Sequence, residues 1–86
     1  IHGAGGVSQD FNLAMAHAML GHLELAEDAF ERSLELHPDQ VDTRDALAQV
    51  LMAMSRPEDA AVHWQEILRL QPGHVGARQN LQRLRQ

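Results

Sequence analysis

The chain contains no cysteine. Disulfides and thiolate metal sites are thereby excluded, although neither redox compartment is. Tyrosine is absent as well, and two Phe and one Trp bring the aromatic share to only 3%, so Leu, Ala, Val and Met must build most of the core. With β-branched residues also scarce, the composition favours helices over strands. Lysine is missing altogether: all seven basic residues are Arg, set against twelve acids for a net charge of -5. Phosphate backbones are gripped by clustered cations, so this balance argues against a nucleic-acid partner. No apolar run approaches the roughly 18 residues that a membrane-spanning helix requires, and no signal-peptide pattern appears. The reading is of a soluble protein with the cytoplasm favoured, its compartment otherwise open.

At 86 residues the chain is one domain at most and can bury roughly 60 to 65% of its unfolded surface. What it does contain is a repeat. AEDAFERSLELHP, Ala26 to Pro38, returns thirty-four residues later as AAVHWQEILRLQP, Ala60 to Pro72. The same shift lays Val7 over Val41, Leu13 over Leu47, Ala14 over Ala48, Glu24 over Glu58, Leu34 over Leu68 and Leu36 over Leu70, with Phe30 over Trp64 as an aromatic match. A third copy begins, because Val75, Arg78 and Leu81 repeat Val41, Arg44 and Leu47.

Leu13-Ala14, Ala26-x3-Phe30 and Pro38, then Leu47-Ala48, Ala60-x3-Trp64 and Pro72, resemble the tetratricopeptide repeat (TPR) family, a helix-turn-helix unit of about 34 residues. There are departures. Asp10 and Arg44 stand where the family has an early aromatic, His17 and Leu51 where it has Tyr, and Ile67 replaces the late small residue that Ser33 supplies in the first copy. The resemblance covers Val7 to Gln86 and implies an all-α, right-handed α-solenoid: two TPR units plus a C-terminal capping helix. The divisions are a flexible lead-in or cloning remnant at 1–6, repeat 1 at 7–40, repeat 2 at 41–74, and at 75–86 a capping helix or the start of a third repeat.

Breakers and caps place five helices. The first is expected from Ser8, as N-cap, to Leu20, closed by Gly21; the second from Leu23 to His37, stopped by Pro38. A third, capped by Asp39, runs from Gln40 to Met54. Pro57 opens a fourth that lasts to Gln71, and a fifth spans His74 to Arg85. On the first helix Leu13, Ala16, His17 and Leu20 share a side that should pack on Ala26, Phe30 and Leu34, while Phe11, Met15 and Met19 cluster opposite. Trp64 should be buried between the third and fourth helices.

The resemblance also implies a concave groove for peptides, lined by the first helix of each repeat. Carried over residue by residue, that groove comprises Phe11, Asn12, Met15 and Met19, then Asp42, Asp45, Gln49 and Met52, then Gln79 and Arg83. Such an apolar stripe is as often core, or a contact with a preceding repeat or another subunit. Some family members hold a terminal carboxylate with cations, but Asp42 and Asp45 suit a basic or amphipathic segment better. Catalysis finds no support in the motifs. The six histidines fall in no metal-binding spacing; Asp59 with His63 reads as a solvated pair, and His17 as a packed, hydrogen-bonded residue. No cofactor and no enzymatic activity are expected.

The leading reading is therefore a protein-interaction module, a TPR scaffold that binds a peptide or partner helix. Two alternatives stand beside it: an accessory TPR segment of a larger enzyme such as a transferase, and a self-assembling scaffold. The second follows from an apolar first helix with no helix before it, together with an acidic front half and an Arg-rich tail that are opposite in sign; a longer parent chain that supplies further repeats explains the same features.

Overall fold

The computed structural model describes residues 2–85, with side chains described from Asp10 onward. Five helices follow one another: α1 (His2–Met19), α2 (Leu23–Leu36), α3 (Val41–Ala53), α4 (Pro57–Leu70) and α5 (Val75–Leu84). No strand occurs among the described residues. Each helix packs on its neighbours in sequence, α1 on α2, α2 on α3, α3 on α4 and α4 on α5. The result is an elongated all-α helical array measuring 45 × 27 × 16 Å.

The thirty-four-residue register is visible in the packing. Ala14 and Ala48, like Ala26 and Ala60, are fully buried at equivalent places, because a methyl group is the largest side chain that lets paired backbones approach so closely. Phe30 and Trp64 fill the space beside them, with Trp64 only 2% exposed. Ile67 is buried where the first repeat has buried Ser33.

The turns inside the repeats are also copies. Gly21 lies at φ +81, and beside it His22 N–H donates to His17 C=O while Gly21 N–H donates to Ala18 C=O. Thirty-four residues on, Ser55 lies at φ 61, Arg56 N–H donates to Leu51 C=O and Ser55 N–H to Met52 C=O. Both are Schellman endings, which need a left-handed residue and are cheapest with Gly. Between repeats, Arg44 Nε donates to Pro38 C=O at 3.2 Å and Arg78 Nη2 to Pro72 C=O at 3.3 Å, so an equivalent arginine satisfies each chain-breaking corner.

Several expectations need correction. α1 begins at His2 rather than near Ser8, taking in most of the stretch read as a lead-in; once a helix is nucleated, each added residue gains a hydrogen bond, which offsets the cost of its glycines. Residue 1 lies outside the described residues. Asp39 does not cap α3, whose N-cap is Gln40 with no side-chain cap bond. α5 gains an unforeseen cap instead: His74 Nδ1 accepts from Ala77 N–H at 2.9 Å.

Of the side of α1 expected to pack inward, only His17 is drawn in. Leu13 is 46% and Leu20 70% exposed, and Ala16 is exposed too. Their register partners Leu47 and Val50 are buried because α2 packs on α3, whereas among the described residues no helix lies in the equivalent place against α1. Phe11 partly packs on the core instead, its ring meeting Phe30 edge-on at 5.8 Å between centroids.

Candidate functional site

α1 and α3 contribute to a cavity of about 430 Å³ lined by Phe11, Met15 and Ala18 of α1, Leu23 and Phe30 of α2, and Asp42, Asp45, Ala46, Gln49, Val50 and Ala53 of α3. Five of the residues expected in a groove meet here: Phe11, Met15, Asp42, Asp45 and Gln49. A second cavity of about 450 Å³ is lined by Gln49, Met52, Trp64, Asn80, Arg83 and Leu84, which gathers Met52 and Arg83. Asn12, Met19 and Gln79 are exposed and line neither cavity, Met19 being 83% exposed.

The two cavities are copies in register. Moving Met15, Ala18, Phe30, Ala46, Gln49 and Val50 forward by thirty-four residues gives Gln49, Met52, Trp64, Asn80, Arg83 and Leu84, the complete lining of the second. Gln49 belongs to both, so the pockets adjoin. The sequence held this signal in the same shift that revealed the repeat. The carry-over nevertheless omitted Ala18, Leu23, Phe30, Ala46, Val50 and Ala53 of the first cavity, because periodicity marks faces of single helices and not the seams between them.

Asp45 is anchored. Its Oδ1 accepts from Trp64 Nε1 at 3.0 Å and its Oδ2 from Gln49 Nε2 at 3.1 Å. A buried indole N–H needs a partner, and the carboxylate provides it while holding its negative charge at the pocket wall. Asp42, in the first turn of α3, is exposed, and no donor engages it among the described residues. The first pocket therefore pairs an apolar floor with two carboxylates, one fixed and one facing water.

Other charged groups pair away from the two cavities. Arg56 donates Nη1 to both oxygens of Glu27 at 3.0 and 3.1 Å and Nε to Asp59 at 2.9 Å, tying α2 to the start of α4. Arg69 pairs with Glu66 on α4, and that hydrogen bond holds the Glu66 carboxyl below its ordinary pKa. Glu31 is pushed up by partial burial and by the nearby charges of Glu27 and Asp28.

The histidines depart from expectation. His63 is not paired with Asp59; its Nδ1 lies 3.2 Å from Arg44 Nη1, and since a guanidinium only donates, Nδ1 accepts and the ring proton resides on Nε2. Burial, then the Arg44 charge, lowers the His63 pKa below its ordinary value. His17 Nδ1 is buried without a hydrogen-bond partner, contrary to the satisfied histidine expected. No group of three or more potential metal ligands occurs among the described residues, nor is any described helix long and apolar enough to cross a membrane.

Comparison with known proteins agrees with this architecture. Residues 11–40 match the family described as tetratricopeptide repeat. No curated protein matches the chain. Among solved structures, the crystal structure of MamA superposes with a TM-score of 0.82 at 23% sequence identity, over 86% of this chain and 43% of that one. The chain thus spans less than half of the MamA chain, and the likeness establishes the fold.

Proposed function

We propose that the chain, whose residues 11–40 match the tetratricopeptide-repeat family and whose fold is like that of MamA, is a protein-interaction module that binds a peptide or partner helix in the groove formed by α1 and α3. The supporting observation is the convergence of Phe11, Met15, Asp42, Asp45 and Gln49 on one open, largely apolar cavity. Phe11 gives the cavity a rigid wall through its edge contact with Phe30. Met15, half in water at 36% exposure, is an unbranched and adaptable side chain suited to partners of varied shape. The two carboxylates favour a basic or amphipathic segment over an acidic one.

Isothermal titration of a library of basic amphipathic peptides against the wild type and Met15→Glu tests the reading. A charge placed on the pocket floor should weaken binding at least about tenfold, the equivalent of 1.4 kcal/mol. Equal affinity of both proteins for the same peptide removes this groove as the binding site.

A further inference from the structure

The adjoining pockets match in position and volume but differ in charge. Asp42 and Asp45 line the first. In the second Arg83 is the charged lining residue, beside the polar Gln49 and Asn80. We propose, resting on the groove reading above, that the occupant is one peptide segment of divided charge, with an apolar residue and a cation in the first pocket and a carboxylate in the second.

The argument is one of electrostatic complementarity between neighbours. Asp45 cannot swing away from an incoming group, because Trp64 and Gln49 hold its two oxygens; an anion entering the first pocket meets its charge, and that of Asp42, at short range. A cation there is favoured for the same reason. At the second pocket the preference reverses, since Arg83 is always charged and presents a planar fork suited to a carboxylate. Because Gln49 lines both pockets, one continuous segment can reach the two sites together. A uniformly basic segment sets a cation against Arg83, and a uniformly acidic one sets an anion against Asp42 and Asp45. Each gains at one pocket and loses at the other, and only the divided segment gains at both.

Three synthetic peptides with a common Leu-containing amphipathic core provide the probes: one with Arg at one end and Glu at the other, one with Arg at both ends, one with Glu at both. Calorimetric titration at low salt should give the mixed peptide about tenfold higher affinity than either uniform one, as two exposed ion pairs supply, and added salt should shrink that margin. Arg83→Glu should transfer the preference to the doubly basic peptide. Asp42→Asn should narrow the margin over the doubly acidic one. Both side chains are exposed, and circular dichroism verifies that these variants remain folded. Equal affinities for all three peptides, with Met15→Glu still abolishing binding, overturn the divided-charge proposal and leave the groove reading standing. Binding indifferent to Met15→Glu overturns both. No binding of the mixed peptide, or a groove closed to it by a second copy in a sedimenting dimer, also overturns the proposal.

Discussion

Trp64 Nε1 donates to Asp45 Oδ1 at 3.0 Å, while the residues thirty-four positions earlier, Phe30 and Phe11, meet as an edge-on aromatic pair at 5.8 Å. One structural place thus has two chemical solutions. Where the aromatic at the end of the pair carries an N–H, its partner on the preceding helix is an acceptor. The exchange keeps the seam closed in both repeats and, in the second, leaves a carboxylate at the edge of the first pocket.

Trp64→Ala should destabilise the domain by roughly 3 to 5 kcal/mol, since it empties the largest buried site of the second repeat. In a double-mutant cycle, Asp45→Ala and Trp64→Phe should show a coupling of about 1 to 2 kcal/mol, as expected of a part-buried hydrogen bond to a charged group. Urea unfolding of the four proteins provides the numbers. Additive effects would show that the bond contributes nothing.

Ser55→Gly should stabilise the fold by about 1 kcal/mol, because Ser55 adopts a left-handed conformation that costs an L side chain roughly this much. Gly21→Ala should cost about the same. A Cβ at Gly21 meets nothing within 4 Å, so the loss would report backbone strain and not a clash. Thermal unfolding of both variants decides the matter.

Ser33 Oγ is buried with no hydrogen-bond partner. Ser33→Ala removes that unsatisfied group and improves helix propensity, so a gain of about 1 kcal/mol is expected. For a domain of this size the melting temperature should rise by about 4 to 8 °C. A fall in melting temperature would mean that the hydroxyl has a partner in solution.

His63 should make the protein acid-sensitive. Its folded pKa lies below the ordinary value through burial and the Arg44 charge, so the fold favours neutral imidazole. The corresponding stability is present above the unfolded pKa of about 6.5 and is lost as pH falls through the lowered folded value. His63→Gln should flatten the stability profile over that window relative to wild type, as followed by denaturant unfolding at successive pH values. Parallel profiles would place the sensitivity elsewhere.

The helices were legible because their punctuation is local: Gly21, Pro38, Pro57 and Pro72 act through their own backbones. The four buried alanines and Trp64 were legible because the repeat fixed which positions face a partner helix. Leu13 and Leu20 were misread for a different reason. Periodicity tells which residues share a side, and burial depends on whether another helix lies against that side; α2 does so for Leu47 and no described helix does so for Leu13. In the candidate site, five of the expected residues on α1 and α3 come together, whereas Ala18, Ala46, Val50 and Ala53 on those same helices, and Leu23 and Phe30 on α2, were not read from the sequence. The bond from Trp64 to Asp45 required overlaying position 11 on 45 as well as 30 on 64. Asp39 lost the α3 cap to Gln40 and His74 gained the α5 cap through one-residue differences in where each corner ends, a precision that residue preference does not supply.

Because each helix touches chiefly the one before and the one after it, the array has no central keystone. Its contacts are local in sequence, which favours rapid folding, and its units melt much like links in a chain, most readily from the ends. A segment lying across both pockets would bridge α1 with α5, the two outermost links. Such a ligand would act as a splint, fastening together parts that the polypeptide itself joins only through their intermediates.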